Sequence, residues 1–265
     1  MHRHRDDPLP HGRWHLLTAA RVSVLVALVA SGCAAPPTRS EPSAEPAFAS
    51  EIPSPVTASV SAAASSDAQP RGPCPADMVD VGVACIDRYE APNEKGAKPL
   101  RMQSVDDANA YCTAREKRLC DEDEWNRACE GPHHKPYPYG PKYEAGRCND
   151  DGKLLLADWA KLGRYPGPVA DAEATRLDQS EPSGTRDGCV SEEGVHDLTG
   201  NVAEWVVRTQ KNPTNFTHVV KGCFWGRCFR EPHEPACAYV NYAHPAGFRS
   251  YEMGFRCCAA RSPTP

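Results

Sequence analysis

The run His196-Asp197-Leu198-Thr199-Gly200-Asn201-Val202-Ala203-Glu204-Trp205 constrains this chain more than any other segment. A glycine turn flanked by Asx-type residues leads straight into an apolar and aromatic stretch. Lys221-Gly222-Cys223-Phe224-Trp225 and Gly254-Phe255-Arg256-Cys257-Cys258 follow it, and Lys117-Arg118-Leu119-Cys120-Asp121-Glu122-Asp123-Glu124-Trp125 precedes it. Such an ordered set of glycine, aromatic and cysteine positions is too specific for generic core patterning. It also bears on chain direction. Neighbouring residues of a strand point to opposite faces, so Cys257 and Cys258 on a strand need different partners.

The N-terminal end reads as targeting sequence. Arg3, Arg5, Arg13 and Arg21 form a basic region ahead of the apolar run from Val22 to Ala30. That run is far shorter than the ~20 residues a bilayer-spanning helix needs, but it suits a signal-peptide core. It ends at Ala30-Ser31-Gly32-Cys33. Two readings stand: a lipobox in which Cys33 becomes the lipidated N-terminus, or an ordinary signal peptide cut nearby. Residues 34–73 are Ala, Pro, Ser and Glu with almost no large apolar side chain, a composition that cannot offset the entropy of ordering, so a disordered tether is expected. The expected organisation is therefore 1–33 lipoprotein signal, 34–73 tether and 74–265 folded domain.

An exported chain with thirteen cysteines reads as a disulfide framework. Lipidation of Cys33 leaves an even number. The formal charge is -5, with no basic stripe, which excludes nucleic acid as an expected partner. Abundant Pro and Gly and few long periodic runs predict a loop-rich α+β domain. Two helices are legible. Ser104 and Asp107 form a capping box ahead of Ala108, Tyr111, Cys112 and Arg115. Asp121 opens a second helix, with Glu122, Asp123 and Glu124 at its positive end, Trp125, Ala128 and Cys129 as its buried stripe, and Gly131-Pro132 as its stop.

Together these motifs resemble the formylglycine-generating enzyme, or sulfatase-modifying factor, family over roughly Cys74 to Ala260. The resemblance implies the family's disulfide-stapled fold, related to C-type lectin-like domains. It also implies bridges Cys112–Cys257 and Cys129–Cys237. The other expected pairs rest on position: Cys74–Cys85 around a short strand-like run, Cys148–Cys189 across a long loop, and Cys120–Cys258 and Cys223–Cys228 as those left over.

For chemistry, the resemblance points to calcium held by the Asp197 side chain and the carbonyls of Leu198, Gly200 and Val202. A hard ion suits those oxygens, although Asp197 and Asn201 also suit simple turn capping. A second calcium site is expected to begin at Asn149 and Asp150. The family oxidases bind Cu(I) through two cysteines separated by four residues, and soft sulfur is what Cu(I) prefers. Cys223 and Cys228 have that spacing but not that register, since counting back from Cys237 puts Arg227 and Pro232 at the copper positions. A structural Cys223–Cys228 disulfide is the default in an oxidising compartment. His133-His134 lacks a third ligand, and no P-loop, Gly-x-Ser-x-Gly or His-Glu-x-x-His occurs. Phe224, Trp225, Arg227, Phe229, Arg230, Phe248 and Arg249 either line a groove or, for the aromatics, fill the core.

Three functional readings follow. The first is an exported, lipid-anchored module of the cell envelope, membrane-held through Cys33, that binds a protein or envelope ligand without catalysis. The second is a copper- and O2-dependent oxidase that converts a substrate-protein cysteine to formylglycine through Cys223 and Cys228. The third is a divergent metal-dependent oxidoreductase.

Overall fold

The computed structural model describes residues 73–226 and 236–262. It begins with a hairpin, β1 (Met78–Asp80) and β2 (Cys85–Asp87). Asp80 closes the turn by accepting the Gly82 N–H at 2.8 Å, and Val81 N donates to the Ala84 carbonyl at 3.0 Å. Helix α1 (Val105–Thr113) starts where the Ser104 hydroxyl accepts the Asp107 N–H and the Asp107 carboxylate accepts the Ser104 N–H at 2.8 Å. After β3 (Arg118–Leu119) comes α2 (Glu122–Glu130). There Glu124 reaches back to accept the Asp121 N–H at 2.9 Å, and Gly131 ends the helix at φ 66°. A left-handed residue at that position is what glycine supplies at least cost.

Two further helices occupy the long segment between Cys148 and Cys189: α3 (Trp159–Leu162) and α4 (Pro168–Leu177). Proline at the first helical position fits α4, because its missing N–H would be unsatisfied there anyway. The remaining strands are β4 (Ala203–Val207), β5 (His218–Lys221), β6 (Val240–Asn241), β7 (Met253–Phe255) and β8 (Cys257–Ala259). A 3-10 turn spans Ala236–Ala238.

The strands form two sheets, ordered β1-β2-β8-β3 and β6-β5-β4-β7. The first is antiparallel throughout, while β4 and β7 pair in parallel in the second, with Trp205 opposite Phe255. Between β7 in one sheet and β8 in the other stands a single residue, Arg256. The chain therefore switches sheets at one buried guanidinium.

Period-two alternation feeds two apolar cores. On β4, Trp205 packs with Phe255, Trp225 and Leu119, whereas Val206 faces Trp125, Ile86 and Val219. Cys257 belongs to the first core and Cys258 to the second. Their bridges diverge accordingly, to Cys112 and to Cys120. Cys129–Cys237, Cys74–Cys85 and Cys148–Cys189 complete five disulfides among the described residues. The domain is thus α+β, loop-rich and stapled from its early helices to its last strands.

Candidate functional site

The glycine turn is built from three left-handed residues: Asp197 at φ 59°, Gly200 at 78° and Asn201 at 55°. Short Asx side chains tolerate this conformation, and Gly200 requires it. A Cβ on Gly200 would stand 2.2 Å from the Asn149 carbonyl oxygen, so no other residue fits. This close approach joins the two stretches expected to hold calcium. Asn201 N donates to the Asn149 carbonyl at 2.7 Å, and the Asn149 amide donates to Asn201 Oδ1 at 3.2 Å. The relay continues as Trp225 N donates to the Asn201 carbonyl at 3.1 Å and Gly152 N to the Trp225 carbonyl at 2.7 Å.

Beside this turn lies a buried charge cluster that the motif reading passes over. Glu204 on β4 accepts Arg256 Nε at 2.7 Å and Nη2 at 2.6 Å, and also Trp125 Nε1 at 2.8 Å. Arg256 donates further to the carbonyls of Asp87 at 3.1 Å and His196 at 2.9 Å. Burial alone would lower its pKa, but the Glu204 carboxylate beside it raises it. Glu90 accepts from Ser183 Oγ at 2.6 Å, Asn201 Nδ2 at 2.8 Å and Val202 N at 3.1 Å. Asp197 Oδ2 accepts the Gly184 N–H at 2.6 Å.

Three buried carboxyl groups thus share one guanidinium. Burial, with Asp197 and Glu204 nearby, pushes Glu90 well above the usual carboxylate range. Burial likewise pushes Asp197 up to about 6. An excess of buried negative charge is relieved either by protons or by a hard cation. Asp197 and the carbonyls of Leu198, Gly200 and Val202 have the oxygen chemistry for the latter. Among the described residues no cluster of three or more His, Cys, Asp and Glu side chains is arranged for a metal, so such an ion would depend on backbone carbonyls. At the neighbouring stretch, the Asp150 carboxyl is pushed up to about 6 by burial and accepts the Tyr143 hydroxyl at 3.3 Å.

Cys223 is 3% exposed and already disulfide-bonded. Cys228, together with Arg227, Phe229, Arg230 and Pro232, lies outside the described residues, and so does the expected Cys223–Cys228 pairing. Phe224 and Trp225 do not line a groove. Both are buried, edge to face at 5.7 Å, and packed with Tyr251 in the first core. Phe248 is half-buried and stacks on His244 at 4.1 Å, while Arg249 is ion-paired with Asp107. His133 and His134 are exposed and pair with Glu192 and Glu130 respectively.

A tyrosine cluster surrounds Cys223. Tyr137 stacks on Tyr139 at 5.6 Å and meets Tyr143 at 6.0 Å, with Ala236 and Tyr239 completing the group. The Pro136-Tyr137-Pro138-Tyr139 run is the sequence signal that could have revealed it.

Lys221, on β5, is buried with its ammonium 5.4 Å from the Trp125 ring. Burial lowers its pKa to about 8, against the pull of Glu122, Glu130 and Asp123. Because the folded value lies below the unfolded one, the unfolded chain holds more protons between about pH 8 and 10.5, and stability rises with pH there. Lys221→Met should therefore stabilise the domain at pH 7 by about 2 kcal/mol and flatten that rise. Thermal melts across pH 7 to 10.5 check both effects. A less stable variant at pH 7 would contradict them.

The sulfatase-modifying factor enzyme 1-like domain model matches residues 62–261, so this chain belongs to that family. It is 28% identical over 175 residues to the inactive C-alpha-formylglycine-generating enzyme 2 of Bos taurus, covering 65% of this chain and 54% of that protein. It is also 29% identical over 188 residues to the formylglycine-generating enzyme of Mus musculus, covering 63% and 45%. The chain spans about half the length of these curated relatives. Among solved structures, PvdO from Pseudomonas aeruginosa aligns with 17% identity and a TM-score of 0.44, covering 67% of this chain and 80% of PvdO. The five bridges point to an oxidising compartment. No helix among the described residues is long and apolar enough to cross a membrane.

Proposed function

We propose that this chain is an exported, non-catalytic binding module of the sulfatase-modifying factor family, lipid-anchored through Cys33 and facing a protein or envelope ligand. The observation that carries this reading is the state of Cys223. A Cu(I) oxidase site needs two free thiolates, and a sulfur committed to a disulfide offers none. The register argues the same way, because Arg227 and Pro232 stand at the copper positions and arginine stays cationic at any working pH. Similar identity to a relative described as inactive and to one named as the enzyme leaves the choice to these residues.

Incubation with a Cys-x-Pro-x-Arg peptide, copper and reductant should yield no aldehyde detectable by hydrazine capture. Turnover that vanishes in Cys223→Ser would favour the oxidase.

The same reading gives the turn a structural calcium ion on Asp197 and the carbonyls of Leu198, Gly200 and Val202, with Asn149 and Asp150 as the weaker second site. The excess of buried carboxylate around Arg256 supports it. Chelation should lower the melting temperature by several degrees, and Asp197→Ala should abolish the difference. At 100-fold excess over its Kd, a ligand of the native state adds about 2.7 kcal/mol. Equal melting with calcium and with chelator would leave Asp197 as a turn cap.

A further inference from the structure

Four of the five exposed large apolar side chains among the described residues fall between Leu154 and Val169, three of them within the six residues from Leu154 to Trp159. Leu156 is 90% exposed, Leu154 57%, Trp159 54% and Val169 38%. The stretch alternates like a strand, for Leu155 and Ala157 pack against the first core while Leu154 and Leu156 point outward. It is also held firmly. Gln179 takes both backbone groups of Lys153, at 3.1 and 2.6 Å. Arg176 on α4 donates to the Leu156 carbonyl at 2.7 Å, and Glu173 accepts the Asp158 N–H at 2.9 Å. A fixed apolar edge of this kind is not a loop waiting to collapse inward.

From Asp151 to Asp171 the segment carries Lys153, Lys161 and Arg164 against Asp151, Asp158 and Asp171, so it is neutral in a chain whose formal charge is -5. Asp158 is paired with Lys161 at 3.2 Å, and exposed charges of both signs, Asp151, Lys153, Arg164 and Asp171, flank the apolar side chains as a solvated rim. From this arrangement we infer that the Leu154-Leu156-Trp159 edge docks the domain onto a lipid bilayer.

The inference rests on the lipid-anchor reading of Cys33. Leucines projecting outward suit the acyl boundary, and tryptophan settles at the headgroup level. The sequence from 34 to 73, read as a flexible tether, gives a reach of roughly 35 Å. At the effective concentration that reach creates, even a weak interfacial contact is occupied. The anchor supplies attachment, and the apolar edge supplies orientation.

Trp159 provides the readout, because Trp125, Trp205 and Trp225 are buried. The mature protein would be reconstituted into phosphatidylglycerol and phosphatidylethanolamine vesicles with brominated acyl chains. Brominated lipid should quench the tryptophan emission. The Leu154→Gln/Leu156→Gln variant should reduce that quenching to the level of a Trp159→Phe control while still pelleting with the vesicles. Pelleting without quenching in the unmodified protein would overturn the docking and leave the anchor standing. Failure to pellet would overturn the anchor and this inference with it. Cross-linking to a dimer in place of quenching would assign the edge to a second copy, and overturn it too.

Discussion

Replacing Arg256 with methionine should destabilise the domain by about 3–5 kcal/mol, because it leaves buried carboxylates with no countercharge. Arg256 is the single residue linking β7 to β8, and its guanidinium holds Glu204 in a two-pronged pair while donating to the carbonyls of Asp87 and His196. Its loss would strand Glu204, whose remaining donor is Trp125 Nε1, and would remove the countercharge from Glu90 and Asp197. A second substitution separates charge from packing. In Glu204→Leu/Arg256→Met the pair is replaced by apolar volume, and part of the loss should return, giving a coupling of more than about 1 kcal/mol. Urea unfolding of the two single variants and the double variant measures this. A loss below about 1 kcal/mol for Arg256→Met would mean that the switch point is held by its backbone alone.

The second large effect concerns the nested bridges. Cys112–Cys257 and Cys120–Cys258 start eight residues apart and end on neighbouring residues, so either one closes nearly the same loop. In the chain-entropy model the sequence separation of 145 would be worth about 5 kcal/mol if Cys112–Cys257 stood alone. With its neighbour intact, the effective loop is short, and removing Cys112–Cys257 alone should cost only about 2–3 kcal/mol. Removing both bridges should cost roughly 7–8 kcal/mol, enough to unfold a domain of ordinary stability. Alanine pairs, single and combined, unfolded in guanidinium, test this. Strict additivity of two losses of about 5 kcal/mol each would contradict the nested arrangement.

Much of this fold is legible where a residue's conformation or period has only one good solution. Ser104 with Asp107, and Gly131 after Cys129, mark helix ends because caps and left-handed stops demand those residue types. Adjacent Cys257 and Cys258 need different partners by strand geometry alone, and the structure gives them Cys112 and Cys120. Helices α3 and α4 are harder to read. The segment holding them looks like a variable loop, and its one clear signal, Gly167-Pro168 ahead of an alanine-rich run, is easily taken for a turn. Glu90 and Arg256 carry no local signature, since their roles come from contacts with residues far along the chain. The aromatic pair Phe224-Trp225 is ambiguous in sequence between groove and core, and the packing of both rings on Tyr251 assigns it to the core.

We propose that this domain keeps the family's frame without its thiolate chemistry, and the state of its thiols decides the matter. Alkylation of the mature, denatured but unreduced protein, followed by mass spectrometry, counts free cysteines, and copper stoichiometry on the native protein counts metal. We expect no alkylation at Cys223 and no copper retained after dialysis. A free Cys223 that binds one Cu(I) per chain would contradict it and make the oxidase the better reading.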